Sequence, residues 1–281
     1  MDLAVLSLVL GLACAVTWGV SDFTGGVITK RTNVYGVMII GHIGSLILLV
    51  ISALLFRESL PPLRDMLIGM VTGISGGIGL LLLYRSLADG QMSLASPLAA
   101  LVGASIPVLV GMLTDGLPAP LVLLGFALAL AAIWLISQTG HISRAGIFRN
   151  MFKPVLAGFT FGIFFVGLHI ASSQAVLWPM AATRMGSIPA VILYCRLRGI
   201  KWLPERRLWP NISLISVLDT TGNLFYMLAA RFGRMDIAAV VSSLYPASTV
   251  ALARLILKEK ISTSQWIGVL LALAALVFIS L

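Results

Sequence analysis

The chain has 281 residues, of which 59% are apolar and only 10% charged, and its mean hydropathy is +1.05. This composition excludes an ordinary soluble domain and indicates a chain that lies largely within a lipid bilayer. The formal charge of +9 sits in short stretches between apolar runs, so it indicates membrane topology and anionic headgroups rather than a nucleic-acid partner. Cys14 and Cys195 fall inside apolar runs, as packing residues do, and predict neither a disulfide nor a metal site.

Ten apolar runs are long enough to cross a bilayer at roughly 20 residues per crossing. They predict spans at about 3–28, 34–55, 66–87, 92–113, 119–138, 154–177, 180–197, 210–232, 237–257 and 264–281. We therefore expect an all-α membrane protein with short loops. The first residues, Met1-Asp2, lack the basic segment of a cleavable signal peptide, so we expect the first span to be retained.

The second half of the chain repeats the first with a shift of 143 positions, so that Gly19 returns as Gly162. Further identities at this offset are Gly90 and Gly233, Leu101 and Leu244, Gly125 and Gly268, and Ser137 and Ser280. Because five spans is an odd number, the second half must enter the membrane from the opposite side. We predict two inverted five-helix repeats, 1–138 and 154–281, joined by a linker at 139–153, around a central cavity. This design is frequent in secondary transporters, whose substrate site lies near the midplane between the repeats.

Lys and Arg residues between the spans predict the orientation. Fourteen fall at one end of the helices and four at the other, the smaller set being Arg57, Arg64, Arg231 and Arg234. The larger set predicts a cytoplasmic linker, with both termini outside. We expect the membrane to be the plasma membrane of a prokaryote.

Three stretches are similar to a known family. Ala15–Phe23 contains a Trp18-Gly19 step, Tyr84–Ser105 covers the third and fourth spans, and Tyr226–Leu281 is the most similar. The last stretch has a Tyr245-Pro246 step, a Leu257-Lys-Glu259-Lys turn and a Gln265-Trp266-Ile-Gly268 start to the final span. Together they resemble the EamA-type ten-helix transporters of the drug/metabolite transporter superfamily. The resemblance implies ten helices around a cavity, secondary transport of small metabolites and cytoplasmic termini, the last in conflict with the charge distribution. The chain departs from the family pattern at Gly103, where the repeat would place the counterpart of Pro246.

Three charged residues, Asp22, Arg184 and Asp219, stand out inside the predicted spans, where a charge costs roughly 2.5–3.5 kcal/mol on insertion scales and marks a candidate functional site. Arg184 and Asp219 lie on consecutive spans and are expected to form an ion pair, for which a substrate anion could compete. Arg184 could alternatively extend to the membrane surface. Asp22 could pair with Lys30 or Arg31, or carry a proton.

Asp219, Asn223 and Tyr226 recur at i, i+4 and i+7, so they share one helix face that is expected to point away from lipid. That face could bind substrate or only fix helix packing. Trp18, Tyr84, His169 and Tyr245 complete the candidate substrate-binding residues, although such side chains are more often packing residues.

A second hypothesis is an intramembrane serine hydrolase. Gly73-Ile-Ser75-Gly76 has the form of a nucleophile turn, and His42 or His169 could act as the base. The motif is short, and a glycine-rich helix matches it easily by chance. Metal, ATP and dinucleotide motifs are missing, so no cofactor is expected. We favour a secondary transporter for a small polar or amphipathic metabolite, amino-acid-like or drug-like, working by proton coupling or facilitated diffusion. The oligomeric state, including a homodimer, stays open.

Overall fold

The computed structural model describes residues 3–88, 92–137, 144–256 and 262–280. These residues form helices and loops without a strand. The helices are α1 (Leu3–Thr29), α2 (Val34–Leu55), α3 (Leu63–Ala88), α4 (Met92–Thr114), α5 (Pro120–Ser137), α6 (Arg144–Ala171), α7 (Leu177–Leu197), α8 (Trp209–Phe232), α9 (Met235–Ser242), α10 (Tyr245–Ile256) and α11 (Thr263–Ser280), with a 3-10 turn at Arg206–Leu208.

Most helix bounds agree with the predicted spans to within three residues, but α6 does not. It begins at Arg144 and ends at Ala171, whereas we predicted a span at 154–177. The described part of the predicted linker is therefore helical. The linker residues 139–143, Gly90 and the Leu257–Lys260 turn lie outside the described residues.

The predicted ninth span is interrupted at Ser243 and Leu244, which separate α9 from α10. Pro246 lies at the second position of α10. Its ring would clash with the carbonyl group four residues earlier in a continuous helix, so the helix is interrupted before it. The amides of Ser243 and Leu244 instead bond to the carbonyl oxygens of Ala239 and Val241. The break places the aromatic ring of Tyr245 at the start of a new helix inside the bundle.

Five helical segments in the described parts of the chain are long and apolar enough to cross a membrane: Leu3–Thr29, Val34–Leu55, Leu63–Ala88, Phe152–Ala171 and Arg206–Phe232. Leu98–Thr114 and Pro120–Leu135 are shorter apolar helices. This architecture is consistent with a membrane protein.

Contacts between loops show which helix ends lie together. At one end, Asn33 Nδ2 donates to the carbonyl oxygen of Lys201 at 3.4 Å. At the opposite end of α2, the Glu58 carboxylate accepts hydrogen bonds from the first amides of α7, including those of Leu177 and Trp178 at 2.9 Å. Because α1 ends beside Asn33 and α6 ends just before α7, α1 and α6 finish at opposite ends of α2.

The two halves also contact each other through corresponding residues. A Cβ atom on Gly222 of α8 would lie 2.4 Å from the Trp18 ring of α1. A Cβ atom on Gly79 of α3 would lie 2.8 Å from the Phe161 ring of α6. The offset of 143 that relates Gly79 to Gly222 also relates Trp18 to Phe161. Both helix pairs thus approach closely over a glycine, as membrane helices commonly do.

Candidate functional site

A cavity with an empty volume of about 510 Å³, part of it open at the mouth, lies between the two halves. Its lining residues come from α1, α2, α3, α6, α7, α8 and α10: Trp18, Asp22, His42, Gly76, Leu80, Leu83, Phe161, Phe164, Phe165, Arg184, Asp219, Asn223 and Tyr245.

Four helices line the cavity with residues at i and i+4, which share one helix face. Helices α1 and α8 supply a polar wall, and α3 and α6 supply an apolar wall. The polar wall is Trp18, Asp22, Asp219 and Asn223, and the apolar wall is Phe161, Phe165, Gly76 and Leu80. Each residue of one wall, taken in this order, is related to its counterpart in the other by the offset of 143.

Arg184 and Asp219 form the predicted ion pair, with 2.6 Å between Arg184 Nη2 and Asp219 Oδ2. The Arg184 side chain is 7% exposed and that of Asp219 is 22% exposed. Arg184 Nε donates to Ser45 Oγ at 3.0 Å, and Nη1 lies 3.4 Å from His42 Nε2. Thr220 donates to the same Ser45 hydroxyl at 2.6 Å. All three guanidinium nitrogens are therefore engaged within the protein, and extension of Arg184 to the membrane surface is excluded.

The hydrogen bonds of His42 assign its tautomer. A guanidinium can only donate, so His42 Nε2 must be the acceptor towards Arg184. The remaining nitrogen, Nδ1, then carries the proton and donates to Ser187 Oγ at 2.8 Å. With this assignment His42 is a neutral ring beside Arg184 Nη1, while Asp219 binds Nη2.

Asp22 is the third membrane charge, and its surroundings differ from those of Asp219. It is 8% exposed and lines the cavity. Within the described part of the chain, its carboxylate has no ion pair and its hydrogen-bond neighbour is the Ser96 side chain, while Lys30 and Arg31 lie at exposed positions. The alternative that Asp22 pairs with Lys30 or Arg31 is therefore wrong.

The aromatic rings form a continuous packed group behind and beside the cavity. Phe165 stacks on Trp18 with ring centroids 5.3 Å apart, and it lies 4.9 Å from the ring of Tyr226. Tyr245 meets Trp18 edge to face at 6.1 Å. Offset and edge-on ring pairs of this kind add about 0.5–1.5 kcal/mol each beyond area burial. The group gives the cavity a rigid apolar side.

The sequence-predicted residues divide into three groups by their position: those that line the cavity, one that borders a neighbouring cavity, and two that lie outside both. Trp18, Asp22, Arg184, Asp219, Asn223 and Tyr245 line the cavity. Tyr84 borders a smaller neighbouring cavity of about 250 Å³, which shares His42, Leu80 and Asp219 with the first.

Tyr226 and His169 do not line the cavity. Tyr226 is fully buried behind it, against Trp18 and Phe165. His169 lies one turn beyond Phe165 on α6, half-buried and close enough to Asp115 to interact with its charge. The prediction for His169 relied on residue type alone, and its position along α6 carries it past the cavity.

Sequence reasoning missed the three phenylalanines of α6 and the role of His42 beside Arg184. Phe161, Phe164 and Phe165 follow the i, i+3, i+4 pattern of one helix face. Two of them are also the counterparts of Trp18 and Asp22 at the offset of 143. Applying the repeat offset to Trp18 and Asp22 would have identified Phe161 and Phe165.

Ser75 is not arranged as a nucleophile. Its hydroxyl donates to the carbonyl oxygen of Thr160 at 2.9 Å, tying α3 to α6. His42 is held by Ser187 and Arg184, and His169 lies outside the cavity. Nothing in this geometry supports the serine hydrolase hypothesis. Across the described residues there is also no group of three or more His, Cys, Asp and Glu side chains that could hold a metal ion.

Comparison with known proteins bears on the whole fold and on the second half. A crystal structure of a protein 13% identical in sequence superposes with a TM-score of 0.72, covering 97% of this chain and 95% of that one. At this identity the likeness shows the fold alone. The uncharacterized protein MJ1333.1 of Methanocaldococcus jannaschii is 27% identical over 120 residues, which is 43% of this chain and 86% of that protein.

The family comparison covers residues 151–281, which include α7, α8 and the broken helix pair α9–α10. This segment matches the model of the EamA-like transporter family, which confirms the resemblance to the drug/metabolite transporter superfamily.

Proposed function

We propose that the protein is a secondary transporter that moves a small polar or amphipathic solute through the cavity between its two halves. The observation that carries this proposal is the lining of the cavity by corresponding residues of both halves. A site built this way is shared equally between two similar units, as expected where one unit rocks against the other around a fixed solute.

The inverted-repeat arrangement is part of the proposal, and two features support it. Helices α1 and α6, which the offset relates, finish at opposite ends of α2. The offset also relates the two packed helix pairs. It relates α1 to α6 and α3 to α8, and α1 packs on α8 as α6 packs on α3. In this reading α9 and α10 together form one interrupted span, which gives ten spans in total.

A non-transporting scaffold does not account for the buried charges. Desolvating Arg184, Asp219 and Asp22 costs several kcal/mol per ion, and only pairing or a bound ligand recovers that cost. A scaffold would gain more stability from apolar residues at these positions. Buried polar residues that face a cavity are instead typical of solute pathways.

The proposal includes the orientation, with the linker at 139–153 on the cytoplasmic side of a prokaryotic plasma membrane. Single cysteines at Ser143 and at Asp115, which follow and precede α5, test it in a variant without Cys14 and Cys195. An impermeant thiol reagent added to intact cells should label the cysteine at Asp115 and spare that at Ser143. The reverse pattern would invert the orientation.

Purified protein in sealed liposomes tests transport itself. We expect flux of at least one metabolite class without ATP, because the sequence contains no nucleotide-binding motif. Uptake measured with and without a pH gradient separates proton coupling from facilitated diffusion. The Asp219→Asn variant, which disrupts the cavity ion pair, should lose most of the flux while Asp115→Asn keeps it. Flux that appears only with ATP, or equal flux in both variants, would contradict the proposal.

A further inference from the structure

The class of solute can be inferred from Asp22, which the other cavity charges leave uncompensated. Asp219 and Arg184 form an ion pair at 2.6 Å and cancel each other. His42 is the neutral acceptor beside them. The remaining charge that lines the cavity is the Asp22 carboxylate, 8% exposed and without an ion pair in the described part of the chain. A buried carboxylate is costly unless a counter-charge meets it, and here the open side is the cavity.

Arg184 does not offer an equivalent site for an anion. Its Nε, Nη1 and Nη2 atoms bond to Ser45, His42 and Asp219 respectively. A solute carboxylate would have to displace Asp219, leaving that carboxylate unpaired next to a second one. The cavity as a whole therefore carries an excess of negative charge and favours a cation.

Two buried hydroxyl groups lie close to Asp22, those of Ser96 and Tyr84. The Ser96 hydroxyl is the hydrogen-bond neighbour of the Asp22 carboxylate, and Tyr84 interacts with the charge of that carboxylate. Both hydroxyl oxygens can still accept a hydrogen bond from a solute. An ammonium group has three N–H donors and no acceptor, so one carboxylate and two hydroxyl oxygens match its needs.

The apolar wall of the cavity can accept an apolar body. Phe161, Phe165 and Leu80 contribute two rings and an aliphatic side chain to the lining. Trp18 and Tyr245 add two further aromatic rings to the lining, and aromatic faces attract cations within about 6 Å of their centroids. A solute that is charged at one end and aromatic or aliphatic at the other would contact both walls.

We propose that the solute is an amphipathic organic cation whose ammonium group binds Asp22 while its apolar body packs on the apolar wall. This assignment rests on the proposed transport function, since it takes the cavity to be the solute site.

Three ligands of similar size and ring test it: 2-phenylethylamine as the cation, 2-phenylethanol as the neutral analogue and 3-phenylpropionate as the anion. Their binding to the purified full chain is measured by calorimetry at neutral pH. The cation should bind tightest. Asp22→Asn should weaken it on the order of 10-fold to 100-fold, the size of a charge-assisted hydrogen bond, and leave 2-phenylethanol unchanged. Asp22→Glu should keep the preference for the cation, and Asp115→Asn, which changes an exposed loop carboxylate, should match the wild type.

The wild-type ligand series alone overturns the assignment if the three ligands bind equally, if the anion binds best, or if none binds. Wild-type affinity for the cation in a folded Asp22→Asn variant would do the same. Failure of the transport proposal looks different. Cation binding would still depend on Asp22, but no solute would cross a sealed liposome. If instead neutral or anionic solutes cross and the cation has no advantage, transport stands and the assignment fails.

Discussion

The polar and apolar walls of the cavity occupy equivalent positions in the two halves but have opposite chemistry. Asp22 on α1 corresponds to Phe165 on α6, and Asp219 on α8 corresponds to Gly76 on α3. The close glycine approaches of Gly222 and Gly79 are kept in both helix pairs. The offset of 143 therefore relates the contacts that position the helices, while the side chains that line the cavity differ between the related positions. The cavity lining thus combines a charged set of residues with an aromatic set.

The largest expected effect comes from breaking the ion pair between Arg184 and Asp219 of the polar wall. Asp219→Asn removes the counter-charge of buried Arg184, and breaking one partner of a buried pair typically costs about 3–5 kcal/mol. We expect a loss of stability near the lower end of this range, because Asp219 is partly exposed. The loss is measured by unfolding in detergent, with the Asp115→Asn variant as the control. Arg184→Gln with Asp219→Asn should cost less than the sum of the single changes. Additive losses would show that the two residues act independently.

Substitutions in the apolar wall should also lower stability, but through lost packing rather than lost charge pairing. Phe165→Ala removes a ring that contacts Trp18 and Tyr226, and truncating a buried phenylalanine costs about 3–5 kcal/mol. Because one side of Phe165 faces the cavity, we expect about 2 kcal/mol. The preference for a cation over its neutral analogue should persist, with both ligands bound more weakly. Loss of that preference in Phe165→Ala would contradict the division of roles between the walls.

The paired glycines test whether the two halves are equivalent in packing. Alanine at Gly222 or at Gly79 would bring a methyl group to 2.4 Å from Trp18 or 2.7 Å from Thr160. Overpacking of this kind costs about 1–3 kcal/mol, and we expect similar losses in melting temperature for the two variants. Only Gly222→Ala moves a residue of the polar wall, so it should reduce ligand affinity more. A large effect from one variant and none from the other would argue against equivalent helix contacts.

The smallest expected effect concerns Ser75. Its one hydrogen bond, to the Thr160 carbonyl, is of a kind that averages about 0.6 kcal/mol between membrane helices. Ser75→Ala should leave transport and ligand binding at wild-type levels. A hydrolytic activity that disappears in this variant would revive the hydrolase hypothesis.

Much of the fold could be predicted from the sequence because lipid imposes a strong pattern on it. Apolar runs of fixed length locate helices such as α2, whose predicted and observed bounds coincide. The start of α6 at Arg144 was missed because a helix can continue beyond the apolar core into a basic segment, where hydropathy falls. The interruption at Ser243 required attention to Pro246, which the hydropathy pattern does not reveal.

The candidate site was only partly predictable. Buried charges are rare enough in lipid that Asp22, Arg184 and Asp219 were found directly. Their partners were less visible, because Ser45 and His42 are far from Arg184 in sequence and come together only when α2 packs on α7. The apolar wall looked like ordinary lipid-facing or packing residues until the offset related it to the polar wall.

The central claim, that the cavity is a solute pathway open alternately to each side, is tested most directly at Asn223. A single cysteine at this position, in a variant with Cys14 and Cys195 replaced by alanine, is placed in liposomes of known orientation. An impermeant thiol reagent is then added to the outside or trapped inside. Alternating access predicts modification from both sides, with protection by bound solute. Modification from one side only, or from neither side in a folded protein, would contradict the account.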